Sequence, residues 1–203
     1  MKKLVLAAAL AVSSLTFAQQ FGVKAGMNVS SLSKDSNLSN QGSKIGFNAG
    51  VFVNAPISTQ FSIQPELLYS QMGDKYDQVI AGTTYARSKH LDYITLPVMF
   101  QYNATPKFYL EAGPEFGLLV SAKNKFTNES TNYTINESAN YKDDLNTFNL
   151  GIGLGAGYYF TPMFGVTARY VAGVTDIAKN RPNGYSATRN NVFQVGLAYK
   201  FGK

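Results

Sequence analysis

The chain has 203 residues, 45% of them hydrophobic and 15% charged, with 18 Lys and Arg against 12 Asp and Glu for a formal net charge of +6. It contains no cysteine, which excludes disulfides, thiol chemistry and cysteine-based metal sites. The basic residues are scattered, not gathered into a run or helical stripe, so a sequence pI near 9.4 is not read as a nucleic-acid signature.

The first element is a targeting segment. Met1-Lys2-Lys3 precedes an apolar run, Leu4 to Val12, and small residues lead to Ala18 before Gln19. This is the pattern of a secretory signal peptide cleaved after Ala18. The run is too short for an anchoring helix, which needs about 20 apolar residues. Cleavage would remove Lys2 and Lys3, bring the net charge from +6 to +4, and leave residues 19–203 as one domain. No later segment is apolar for long enough to form a membrane helix. Transmembrane strands, however, need only about 9–11 residues with every second side chain apolar. A mean hydropathy of −0.11 fits a soluble or a barrel protein equally.

Period two dominates the remainder and predicts eight strands. The first, near 21–31, sets Phe21, Val23, Ala25, Met27 and Val29 against Gly22, Lys24, Gly26 and Asn28. The second, near 43–54, sets Ile45, Phe47, Ala49, Val51 and Val53 against Lys44, Gly46, Asn48, Gly50 and Asn54. The third, near 61–72, opposes Phe61, Ile63, Pro65, Leu67 and Tyr69 to Gln64, Glu66 and Ser70. The fourth, near 89–102, opposes Ile94, Leu96, Val98, Phe100 and Tyr102 to Tyr93, Thr95, Met99 and Gln101. The fifth, near 107–120, opposes Phe108, Leu110, Ala112, Phe116 and Leu118 to Tyr109, Glu111, Gly113, Glu115 and Gly117. The sixth, Phe148 to Phe160, has one wholly apolar face and an opposite face bearing Gly151, Gly153, Gly155 and Gly157. Glycine packs nothing in a soluble sandwich strand. In a narrow barrel it makes room for large side chains from opposite strands. The seventh, near 163–175, sets Phe164, Val166, Ala168 and Tyr170 against Gly165, Thr167, Arg169 and Gly173. The eighth alternates Phe193, Val195, Leu197, Tyr199 and Phe201 with Gln194, Gly196, Ala198 and Lys200.

Short proline-marked connections (55–60, 103–106 and 161–162) alternate with longer polar ones (about 32–42, 73–88, 121–144 and 176–190). Short turns at one end and long loops at the other are the asymmetry of an outer-membrane barrel, which would place the turns and both termini in the periplasm. Pro65, Pro97 and Pro114 fall inside strands and are expected at bulges or kinks.

The competing fold is a secreted lipocalin-like barrel, with apolar residues inside around a ligand. The non-apolar face here is mostly Gly, Asn, Gln, Ser and Thr, whereas a water-facing surface would carry many more charges. Aromatics at strand ends fit interfacial belts, so the apolar face is read as lipid-facing. The inner face then carries Lys24, Lys44, Glu66, Glu111, Glu115, Arg169 and Lys200. Nearly balanced charges in so small a barrel are expected to form a structural ion-pair network that plugs the lumen, since a buried charge is tolerated only when paired. A proton relay, binding site or selectivity ring is the functional alternative. Catalysis has little support: His90 is the lone histidine, and Ser88, His90 and Asp92 are neighbours in sequence only. One histidine and no cysteine give no zinc-ligand set, and the acids at 143–144, Asp74 and Asp77 match no calcium loop. No cofactor, metal or nucleic-acid partner is expected.

Four phrases carry a resemblance: Phe21-Gly-Val-Lys-Ala-Gly-Met-Asn28, Asp92-Tyr-Ile-Thr-Leu-Pro97, Tyr109-Leu-Glu-Ala-Gly-Pro114 and Ala168-Arg-Tyr-Val-Ala-Gly173. Together, and in this order, they resemble the PorT-like outer membrane protein β-barrel family of Bacteroidota-type Gram-negative bacteria, often labelled porin family. The resemblance spans the mature chain. It implies an eight-stranded outer-membrane barrel and makes Pro97 and Pro114 family features. It supplies no catalytic residues, and one member assists the type IX secretion system. The expected function is a structural or interaction role in outer-membrane lipid, with long loops outside the cell. A passive small-solute porin and a secretion accessory working with envelope proteins are the alternatives.

Overall fold

The computed structural model describes residues 19–33, 39–80, 83–128, 133–137, 141–179 and 187–202. The expected signal peptide, residues 1–18, lies outside the described residues, as do 34–38 and 180–186 of two expected loops. The strands are β1 Gln20–Leu32, β2 Ser39–Pro56, β3 Phe61–Ile80, β4 Thr83–Asn103, β5 Phe108–Asn128, β6 Tyr133–Glu137, β7 Phe148–Tyr159, β8 Phe164–Gly173 and β9 Asn190–Lys200. A 3-10 turn, Tyr141–Asp144, precedes β7.

All pairings between strands are antiparallel. The order β4-β3-β2-β1-β9-β8-β7-β5 closes on itself through the β4–β5 pairing. The result is a closed eight-stranded antiparallel barrel. β6 is extra: it pairs with the upper part of β5, Tyr133 opposite Asn128, beyond the stretch of β5 that pairs with β7.

Side chains alternate across the wall in the reverse sense of a water-soluble barrel. Phe21, Ile45, Leu110 and Leu154 point outward, Leu154 being 68% exposed, while Lys24, Glu66, Glu111 and Arg169 point inward, Arg169 being 1% exposed. Such a surface is stable only against hydrocarbon, and closing the ring leaves no strand edge unpaired there. On β4 the outward apolar residues run from Ile94 to Tyr102, close to the about 9–11 residues that cross a bilayer. Aromatic pairs mark both margins: Phe61–Tyr102 (centroids 5.4 Å) at the turn end, Phe47–Tyr69 (5.6 Å) and Phe116–Phe148 (6.4 Å) toward the loop end.

Two expectations are corrected. Segments 73–88 and 121–144 are not mainly loop, because β3, β4 and β5 run to 20, 21 and 21 residues and extend past the apolar band. Backbone pairing continues there from Gly73↔His90 to Ile80↔Thr83. Outside the bilayer neither face must be apolar, so the alternation that marks a strand in sequence fades while the hydrogen-bond ladder does not. Second, Pro65, Pro97 and Pro114 sit at no bulge. The β3–β4 register runs without a shift, and the β4–β5 register shifts only between Asp92 and Tyr93. The ladder drops residue pairs next to the prolines, from Pro65↔Val98 to Leu68↔Thr95 and from Pro97↔Glu115 to Phe100↔Ala112. A missing N–H costs a rung without moving the strands.

Candidate functional site in the lumen

The lumen is built in layers. At the turn end Phe52, Tyr109, Tyr159 and Ala198 form a buried cluster. Register sets Phe52 opposite Gly22, Tyr109 opposite Gly157 and Tyr159 opposite Gly165. A Cβ on any of the three glycines would run into the facing ring. The glycines thus make room for their direct cross-strand neighbours, not only for strands across the barrel. Lys200 lies here, its Nζ 4.1 Å from the Tyr159 ring centroid.

Beside this cluster, also toward the turn end, lies a group of amides. Asn54 Nδ2 donates to Gln101 Oε1 (2.7 Å) and Gln64 Oε1 (3.2 Å). Gln64 Nε2 donates to Glu66 Oε1 (2.9 Å), and Gln101 Nε2 to Glu111 Oε2 (3.1 Å).

The centre is ionic. Arg169 donates from Nη1 and Nη2 to the two oxygens of Glu66 (3.0 and 2.7 Å), and from Nε to Glu111 Oε1 (2.8 Å). Lys24 Nζ donates to Glu66 Oε1 at 3.4 Å. Two cations thus meet two carboxylates, with the planar guanidinium fork engaging one of them through both oxygens. One row of the wall explains the geometry: Glu111 on β5 and Arg169 on β8 both pair with Gly155 on β7. The bare glycine lets the two side chains meet over it.

Glu115 is buried beside this centre, and its Oε2 accepts no hydrogen bond. It borders a cavity of about 10 Å³ shared with Tyr93, Thr95, Asn149 and Asn190. That is about the space one water needs. At the loop end Leu32, Met72, Leu91, Tyr93, Leu119, Leu145, Ile177 and Val192 form an apolar plug. Leu145 and Ile177 come from connecting segments that fold over the mouth. Leu145 bridges to Ala178, and Asn146 Nδ2 donates to the carbonyls of Asp176 (2.9 Å) and Ala178 (3.1 Å).

Residues 17–179 match the family described as outer membrane protein β-barrel domain. The chain belongs to that family. Among solved structures, this outer-membrane barrel is similar to Ail, the attachment invasion locus protein of Yersinia pestis. The TM-score is 0.52 at 13% identity, covering 91% of this chain and 100% of that one. Ail in complex with the heparin analogue sucrose octasulfate gives 0.53 at 13%, with the same coverage. Neisserial surface protein A gives 0.49 at 15%, covering 91% and 99%. No curated protein matches the chain.

Of the seven inward charges read from the sequence, the barrel brings Lys24, Glu66, Glu111 and Arg169 into one network. Glu115 adjoins it without an ion pair. Lys200 sits at the turn end. Lys44 lies at the loop end, where its Nζ donates to the Met72 carbonyl (3.2 Å). The apolar mouth plug was missed by sequence reasoning. Its signal was an isolated apolar residue in each of two polar stretches, Leu145 after Asp143 and Asp144, and Ile177 after Asp176.

His90 lies on the outer face of β4 beyond the apolar band, with Ser88 Oγ 3.2 Å from its Nε2. It is held down to about 4 by partial burial first, then by the positive charges of Lys44, Lys125 and Lys75, with Asp92 opposing. The sign follows: an unfolded chain takes up this proton near pH 6.5, the folded barrel only near 4. Any stabilisation from the neutral ring is therefore complete above about pH 6.5 and lost as pH falls through 4. The His90 ring proton shift in NMR is expected to titrate with a midpoint near 4; a midpoint near 6.5 would contradict this environment. Among the described residues no three His, Asp or Glu side chains are grouped so as to hold a metal ion.

Proposed function

We propose that the protein is a plugged outer-membrane barrel with a structural or interaction role, anchored by its apolar belt and displaying its loop end outside the cell. One observation carries this reading: among the described residues, buried aromatic, amide, ionic and aliphatic side chains occupy the lumen, and the cavity beside Glu115 has room for about one water. A small-solute porin needs a continuous aqueous path. Purified protein in a planar bilayer is expected to stay silent; stepwise conductance would replace this reading with the pore. The orientation is supported by the short turns at 57–60, 104–107 and 160–163 against the long strands opposite. In this reading residues 1–18 are a cleaved signal peptide, and the mature mass begins at Gln19.

Membership of the narrower PorT-like group, with a part in protein secretion, is a second reading that rests on the four sequence phrases. It predicts co-purification with secretion components and a secretion defect on deletion. The lipocalin-like alternative is disfavoured by the outward apolar face. An unheated sample is expected to migrate differently from a heated one on detergent gels.

A further inference from the structure

We infer that the outer face of β3, β4 and β5, just beyond the apolar band, binds the phosphate of an outer-leaflet lipid headgroup. This inference rests on the proposed reading of the chain as an outer-membrane barrel with its loop end outward.

Register lays out the face in rows. The last apolar row is Tyr69, Ile94 and Leu118; the next is Gln71, Asp92 and Ser121. Then come Gly73, His90 and Lys123, and then Lys75, Ser88 and Lys125. Lys75, Lys123 and Lys125 are exposed, while the alternate residues Met72, Tyr76, Leu91 and Ala122 are buried, so these lysines share the outward face. Strands are about 4.8 Å apart, which puts the backbones at Lys75 and Lys125 about 10 Å apart on either side of Ser88. Two flexible ammonium groups can close on one phosphate from that spacing. The Ser88 hydroxyl and His90 ring, 3.2 Å apart, lie between them, and Lys123 adjoins His90 in the row below. The charges that act on His90 are Lys44, Lys75 and Lys125 against the single carboxylate Asp92. Asp77 stands one row further out, opposite Ala86. The patch is therefore net positive around His90.

Depth selects the partner. Each row rises about 6.7 Å along the strand, and strands tilt by about 40°, so along the membrane normal the row of His90 and Lys123 lies about 10 Å, and the row of Lys75, Ser88 and Lys125 about 15 Å, beyond the last apolar row. The headgroup zone extends about 5–8 Å beyond the hydrocarbon, and long lysine stems snorkel back toward it from these rows. A lipid can lay its acyl chains on Ile94, Leu118 and Val120 while its phosphate meets the lysines. A soluble polyanion uses only the upper half of the same surface.

The test is native mass spectrometry of the full-length barrel in mixed micelles of phosphatidylcholine with either phosphatidylglycerol or lipid A. The wild type is expected to retain the phosphate-exposing anionic lipid at least tenfold over phosphatidylcholine. The triple variant Lys75→Gln/Lys123→Gln/Lys125→Gln should lose that preference while keeping its heat-dependent gel shift, because its side chains are exposed. Equal lipid retention by the triple variant would overturn the inference. So would tighter binding of sucrose octasulfate than of either lipid, which would make the face a receptor for soluble polyanions. If the triple variant does not fold, the wild type alone decides: near 1 M salt, where screening acts within about 3 Å, the lipid preference must fall. Failure of the orientation reading would show separately, as labelling of the loop end from inside the cell with the micelle preference intact.

Discussion

Replacing Arg169 with methionine is expected to lower barrel stability by about 3–5 kcal/mol, read as the urea midpoint of far-UV circular dichroism in detergent. The side chain is of similar length, so the loss is electrostatic. Glu66 and Glu111 would remain buried, facing each other without the guanidinium that takes three of their hydrogen bonds. Lys24, at 3.4 Å from Glu66, is too distant to replace a two-point contact. Neutralising both acids in the same background, with Glu66→Gln and Glu111→Gln, is expected to recover most of the loss, since an apolar or amide-filled core often does as well as a buried ion pair. A midpoint unchanged in Arg169→Met would show that the network contributes nothing. Glu111→Gln alone should cost far more than Glu115→Gln, because only Glu111 is bonded to Arg169. The sequence pattern treats these two acids alike; the geometry does not.

Gly155→Val is expected to be comparably damaging, although it removes no charge. Glu111 and Arg169 reach each other over this glycine, and a Cβ there would lie 2.6 Å from the Ala168 carbonyl and 3.0 Å from Glu111 Oε1. A branched side chain has to push the carboxylate off the guanidinium or part β7 from β8. The first repeats the broken pair of the previous case, and the second adds overpacking of about 1–3 kcal/mol. The double variant Gly155→Val/Glu111→Ala should then cost less in total than the sum of the two single changes, because the wedge no longer has a partner to displace. Strict additivity would count against the bridge over Gly155. Gly42→Ala is the control: a Cβ there meets only the Lys75 carbonyl, at 3.9 Å, and stability should barely change.

These two predictions also mark how far the sequence could be read. The glycine row from Gly151 to Gly157 announced crowding in the lumen, but not that Gly155 lies between Glu111 and Arg169, because that depends on the registers of β5–β7 and β7–β8. Lys24 and Lys44 are both inward lysines on adjacent strands. Only the ladder places Lys24 opposite Gly50 and Lys44 opposite Ser30, which leaves Lys44 near the loop end, away from Glu66 and Glu111. The upper halves of β3, β4 and β5 had no apolar alternation to announce them. Leu145 and Ile177 are close in space only because their segments cross the barrel mouth.

By itself the sequence determined that the chain crosses a membrane as strands. It set which face meets lipid, which connections are short, and which charges point inward. A period-two pattern records the facing of each residue within its own strand, and facing is a local property. The tertiary structure decided which inward charges pair, what seals the two ends, and how far the wall rises beyond the bilayer. Those depend on the stagger between strands that are distant in sequence, and alternation along any one strand is unchanged when that strand slides by two residues against its neighbour.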